Sequence, residues 1–207
     1  KLTQPDTPLQ WASEAQGNRF GPHNAGFVTT MCLAKCVPGR SRRSMTVGYH
    51  VHLEKEQSVF SAAHFITYAG NVCERLHGHN YRVFAEVSGD LDENHYVVDF
   101  LALRDELQQI TQELDHHMLL PTDHPQIHVA ENDEEVEVRF ETRRWVFPRG
   151  DCLLLPIPNT TAELLALYIG HQLLDGLEKR TGIRPRQIRV GVDENHGQWA
   201  ICNLQDE

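Results

Sequence analysis

The order of amphipathic segments predicts an α+β domain: an antiparallel β-sheet with two helices on one face, plus an inserted β-hairpin. Three observations carry this. Strand-like alternation fills both ends of the chain after residue 45, and two stretches between them repeat their apolar residues at three and four. A third run, lying between those two stretches, has an alternation of its own.

Tyr49, Val51 and Leu53 alternate with His50, His52 and Glu54, a half-buried strand, and a second strand is expected near Ser58–Ile66. The segment Tyr68–Leu76, with Gly70-Asn71, reads as a loop. A third strand places Tyr81, Val83, Ala85 and Val87 on one face and ends at Ser88-Gly89-Asp90. Asp99 is suited to cap a helix with the stripe Phe100, Leu103, Leu107, Ile110 and Leu114. A capping box, Thr160-Thr161-Ala162-Glu163, opens a second helix that buries Ala162, Leu165, Ala166, Ile169, Leu173 and Leu177. Ile188, Val190 and Val192 make a further strand, which Asn195-His196-Gly197 reverses into Gln198–Asn203. In the insert, Val136, Val138 and Phe140 alternate with charged residues. Trp145-Val146-Phe147 then leads to the turn Pro148-Arg149-Gly150-Asp151, and Leu153–Leu155 closes the hairpin.

Residues 1–44 combine Pro, Gly, Asn and Thr with the basic stretch Arg40-Ser41-Arg42-Arg43 and show no period; they read as an N-terminal extension. Residues 45–207 are then the domain, with the insert at about 121–155. The length of 207 residues suffices for one such core. A net charge of −10 argues against a nucleic-acid partner, although a small phosphorylated substrate needs only a local cationic pocket. No apolar run reaches the roughly 18 residues of a membrane span. Five cysteines without an export signal fit a reduced cytoplasm with at least one free thiol.

The strongest local signal is His77-Gly78-His79. Residues i and i+2 of a strand project from one face, so both imidazoles converge on one point, and Gly78 leaves space between them. They share parity with Tyr81 and Val83 and point inward, where a metal is an economical partner for buried imidazoles. His50-Val51-His52 has the same spacing but the opposite parity, so it faces solvent. A cupin-type site wants a Glu four or five residues on, where this chain has Val83 and Phe84. His64, after Ser61-Ala62-Ala63, is placed to be a third ligand, and three neutral nitrogens suit a catalytic zinc with one open position.

Cys73 and Glu74 precede the pair. Cys73 fits a small buried hydrophobe, and it equally fits a base whose thiolate a nearby cation favours, below the ordinary pKa of about 8.5. Asp115-His116 at the first helix end fits an oriented proton carrier, or a polar terminus with His at the negative end of the dipole. Glu194 shares parity with Ile188, Val190 and Val192 and should point inward, where a ring edge with two N–H groups would satisfy it.

Six pieces in order resemble the 6-pyruvoyl-tetrahydropterin synthase / 6-carboxytetrahydropterin synthase family. They are Phe60-Ser61-Ala62-Ala63-His64, Cys73-x3-His77-Gly78-His79-Asn80-Tyr81, Val98-Asp99-Phe100, Leu114-Asp115-His116, Thr161-Ala162-Glu163 and Val192-Asp193-Glu194. The resemblance implies a tunnelling fold (T-fold), trimers stacked into a homohexamer, and active sites between subunits. It implies zinc on His64, His77 and His79, a pterin ring anchored by Glu194, and 7,8-dihydroneopterin triphosphate as substrate. Cys73, Asp115 and His116 would be the catalytic set, the latter two given by a neighbouring subunit, with Thr161 and Glu74 also facing substrate.

The subfamilies differ ahead of His-Gly-His. Carboxytetrahydropterin synthases of the queuosine (7-deazapurine) route leave three residues between Cys and His, as Cys73 does. The 6-pyruvoyl enzymes leave five, which falls on Asn71 and fails. A folate-branch group releasing 6-hydroxymethyl-7,8-dihydropterin has Glu with two residues between, and Glu74 fits. The carboxy synthase is the expected activity, with the folate-branch enzyme, a 6-pyruvoyl-tetrahydropterin synthase and a non-catalytic zinc- or pterin-binding T-fold module as alternatives. Leu120 stands where the family usually has Asn, and both the 1–44 extension and the long insert depart from its pattern.

Overall fold

A computed structural model describes residues 47–70 and 72–205; the expected 1–44 extension lies outside the described residues. The main sheet has six strands in the order β11-β10-β4-β1-β5-β9. They are β1 (Tyr49–His64), β4 (His77–Gly89), β5 (Met118–Pro121), β9 (Cys152–Leu155), β10 (Gln187–Asp193) and β11 (Trp199–Gln205). The expected antiparallel sheet is its four-strand core, β11-β10-β4-β1, and β5 and β9 join in parallel.

The first two expected strands are one. Glu54–Gln57 are all exposed, which breaks the alternation. The chain nevertheless stays extended and slips register with β4 between Glu54↔Phe84 and Val59↔Arg82. Such a bulge lets a strand change which parity faces the core. Leu53 is buried before it, and Phe60 and Ala62 after it. The expected loop Tyr68–Leu76 carries part of a small hairpin, β2 (Thr67–Tyr68) with β3 (Val72–Cys73).

Helix α1 (Phe100–Leu114) is capped by Asp99, whose carboxylate accepts from the Leu101 N–H. Its buried stripe runs from Ala102 and Leu103 to Leu114, whereas Phe100, expected inside, is 54% exposed in the first turn. Helix α2 (Ala162–Thr181) starts one residue later than the capping box implies. Thr161 is the cap and accepts from Leu164 N–H, so Glu163 falls too early to reach back. Every expected stripe residue of α2 is buried. Both helices pack with Tyr81, Val83, Ala85, Ile188, Val190 and Val192 into one core on one face of the sheet.

The insert is larger than a hairpin. β6 (His128–Glu131), β7 (Glu135–Phe140) and β8 (Arg143–Pro148) form a three-stranded antiparallel sheet, followed by a single 3-10 turn at Arg149–Asp151. Leu153–Leu155 does not close it; that segment returns to the main sheet beside β5. Val136, Val138 and Phe140 bury against Phe65, Met118, Leu120 and Cys152 in a second core, and Trp145 stacks on Phe65 at 4.7 Å. Leu120 is fully buried there. An apolar side chain at that position is what the added sheet requires, since a buried Asn would need new partners.

Candidate metal centre

The antiparallel register of β1 and β4 places His64 opposite His77 and Ala62 opposite His79. All three imidazoles lie on the core side, with ring centroids 4.7, 5.3 and 4.8 Å apart and donor atoms within 4.8 Å of one another. By contrast His50 and His52 are exposed, and His52 bonds Glu86. Gly78 is the residue this register needs, because a Cβ there would sit 3.0 Å from the Ala62 carbonyl oxygen.

Two hydrogen bonds settle the tautomers of His64 and His77. A carbonyl only accepts, so His64 Nδ1 donates to Thr160 O at 2.9 Å and His77 Nδ1 donates to Arg75 O at 2.8 Å. Each neutral ring then carries its lone pair on Nε2. Burial drives the His64 pKa down to about 4, against the bond to Thr160 and with the help of His77 and His79, so this ring is neutral at neutral pH. Neutral nitrogens are what a divalent ion needs. Three such donors around a tetrahedral zinc at about 2.1 Å stand roughly 3.4 Å apart, a spread small side-chain rotations reach. The donor set fits a metal ion of the zinc type.

Two carboxylates border the cluster. Glu194 Oε1 lies 3.5 Å from His64 Nε2 and 3.6 Å from His79 Nε2, and the Glu194 side chain is partly buried just past β10. Glu74 Oε2 lies 3.8 Å from His77 Nε2. The Tyr81 phenol sits 3.2 Å from His64 Nε2, and burial, then the charges of Glu194 and Glu74, hold it protonated.

Cys73 behaves differently from the expectation of a lowered pKa. Its side chain is buried in the second core, and burial pushes the thiol up, opposed by the nearby Arg143 guanidinium. Glu74, its neighbour, therefore presents the carboxylate to the histidines while the thiol packs against the insert. Asp115 and His116 do form a pair, Asp115 Oδ2 to His116 Nδ1 at 2.7 Å. The Ser61 N–H, then His116, holds the Asp115 carboxyl below its usual range. This pair sits at the edge of β1, and His116 is 82% exposed and bonded to none of the three histidines. Thr161 serves as the α2 cap rather than touching the cluster.

Three participants escaped the sequence reading. Thr160, fully buried, fixes His64 through its carbonyl and donates its hydroxyl to Phe65 O. Asp193 is the fully buried carboxylate of the β10 end: it pairs with Arg82 and accepts from Gly197 N–H. Burial raises its pKa, but Arg82 and Gly197 outweigh that and hold it low. Arg143 of the insert donates from Nη1 to the carbonyls of both Cys73 and Glu74 at 2.9 Å. Only the β4–β10 register and the path of the insert bring these groups together.

The 6-pyruvoyl tetrahydropterin synthase family profile matches residues 52–205. A Methanocaldococcus jannaschii protein provisionally named 6-carboxy-5,6,7,8-tetrahydropterin synthase is 33% identical over 145 residues, covering 68% of this chain and 86% of its own. An Archaeoglobus fulgidus protein with the same provisional name is 37% identical over 141 residues, covering 68% and 86%. Among solved structures, the 6-pyruvoyl tetrahydropterin synthase of Plasmodium falciparum superposes with a TM-score of 0.71 at 30% identity, over 78% of this chain and 100% of that one. A Plasmodium vivax homologue, carrying a glutamate-to-alanine change at a catalytic residue, gives the same score and coverage at 27% identity. The chain belongs to the 6-pyruvoyl tetrahydropterin synthase family of lyases.

Proposed function

We propose that this chain is a zinc-dependent lyase of the 7-deazapurine route, converting 7,8-dihydroneopterin triphosphate to 6-carboxy-5,6,7,8-tetrahydropterin, the product that appears in the provisional names of its archaeal relatives. It would act as a cytoplasmic homohexamer, a dimer of trimers. One observation carries the reading: one ring nitrogen from each of three histidines lies within 4.8 Å of the others, beside the Glu194 carboxylate. His64, His77 and His79 would hold the zinc, which would supply a Lewis acid able to make a nearby substrate C–H more acidic. Glu194 would accept adjacent N–H groups of the pterin ring and orient it, as a carboxylate does with a guanidinium. Cys73 would take the proton from carbon. Asp115 would orient His116 as a proton carrier in a neighbouring subunit's site, which suits the exposure of His116.

A second reading is favoured by a specific contact. Glu74, not Cys73, points its acid–base group at His77, which supports proton abstraction by Glu74 and release of 6-hydroxymethyl-7,8-dihydropterin. The catalytic glutamate of the Plasmodium vivax protein is consistent with such a base. Incubating the zinc-loaded protein with dihydroneopterin triphosphate and weighing the product decides between them. The mass of the 6-carboxy product supports the first reading and that of the 6-hydroxymethyl product the second. No pterin turnover overturns both.

A further inference from the structure

We infer that Arg75, Arg143 and Arg144 form a polyphosphate subsite, which holds the triphosphate of the substrate between the Cys73–His77 loop and the inserted sheet. The assignment of the anion as the substrate's own rests on the reading that the substrate is a pterin triphosphate.

An open cavity of about 420 Å³ is lined by five residues, Arg75, Leu76, Arg143, Arg144 and Trp145, three of them guanidinium-bearing. This concentration is notable in a chain of net charge −10, whose overall field repels a polyanion and leaves binding to local cations. The cavity adjoins the metal centre through the backbone: the Arg75 carbonyl accepts from His77 Nδ1. Leu76 also walls the neighbouring cavity that His79 lines. A substrate whose pterin end lies at the histidines therefore has its anionic end beside these arginines.

Carboxylates pair with the guanidiniums of this cavity only in part. Glu137 bonds both Arg139 and Arg144, so one carboxylate serves two guanidiniums. Arg143 directs Nη1 to two neutral carbonyls, an arrangement that fixes its position and keeps its charge. Arg75 is exposed, with no ion pair among the described residues. Glu74 and Glu141 are further carboxylates near Arg143, and all three act on the Cys73 thiol. The arginine fork matches two phosphate oxygens at once, and Trp145, stacked on Phe65, gives the cavity a rigid wall. Two of the three arginines come from the inserted sheet, which gives that insert a role in substrate capture.

The test is titration of the whole 207-residue chain, zinc-loaded, with inorganic tripolyphosphate by calorimetry, alongside Michaelis constants for dihydroneopterin triphosphate. Arg75→Ala and Arg144→Ala should each weaken tripolyphosphate about tenfold or more and raise KM in parallel, since hydrogen bonds to charged groups are worth that much. The exposed and distant Arg186→Ala should bind as the parent does. Arg143→Lys keeps the charge without the fork, so its loss should be intermediate. If the parent binds no tripolyphosphate, or if correctly folded Arg75→Ala and Arg144→Ala bind it undiminished, the subsite is refuted. If tripolyphosphate binding and its loss are seen without pterin turnover, the polyphosphate site stands and the reading of the substrate falls.

Discussion

His64 and Thr160 are joined across 96 positions of sequence by a hydrogen bond of 2.9 Å from the ring Nδ1 to the backbone carbonyl. The bond selects the tautomer with its lone pair on Nε2, and the start of α2 thereby fixes a candidate metal ligand on β1. Asn159 holds this arrangement in place, accepting from Thr160 N–H at 3.1 Å and donating to Thr67 O at 2.9 Å. Groups that orient metal ligands in this way typically contribute 10–100-fold to metal affinity. Asn159→Ala is expected to weaken zinc by about that factor, measured by competition with a chromophoric chelator. An unchanged affinity would show that Thr160 needs no such support.

The burial of His64 predicts a pH dependence. Its folded pKa is about 4, below the unfolded value near 6.5, so the unfolded chain binds more protons between those limits. Stability of the metal-free protein should be constant above about pH 6.5 and fall as the pH drops toward 4. The loss reaches up to about 3 kcal/mol from this group, at 1.36 kcal/mol per pH unit. Urea unfolding of chelator-treated protein between pH 7 and pH 4 checks it, and His64→Gln should flatten the slope.

Glu74 and Cys73 are adjacent in sequence yet face different surroundings. Glu74→Ala should abolish formation of a 6-hydroxymethyl product while leaving the fold intact, because the side chain is 40% exposed. Cys73→Ala should abolish a 6-carboxy product and spare the other. It should also cost about 1 kcal/mol in stability, because the thiol fills the second core. Product masses from the two variants, read beside their unfolding curves, separate chemistry from packing.

Asp193 anchors the turn that follows β10. Replacing it with Ala leaves the Gly197 N–H without its acceptor and Arg82 without its partner, although Arg82 is half-exposed and regains water. A loss of about 2 kcal/mol is expected in urea unfolding. Its carboxyl is held low in the fold, so this contribution is present above the unfolded pKa near 4 and disappears as the pH falls below it.

The regular elements were legible because their periods are clean: the α2 stripe, the Tyr81–Val87 face and the Asn195-His196-Gly197 turn appear as read. So was the inward parity of His77 and His79 against the outward parity of His50 and His52. What could not be read depends on three-dimensional register. The polar run after Leu53 looks like a chain break but is a bulge in one strand, and Leu153–Leu155 pairs with β5 instead of its sequence neighbours. The second core, which changes the setting of Cys73, exists only because the insert folds back onto Phe65 and Met118. A lone cysteine carries no sign of that.

The proposed lyase chemistry depends on His64, His77 and His79 holding one metal ion. Elemental analysis of purified, zinc-equilibrated protein is expected to give close to one zinc per chain, falling to background in His77→Ala and His79→Ala while both variants keep the parent's circular dichroism. Full zinc content in either folded variant would contradict it.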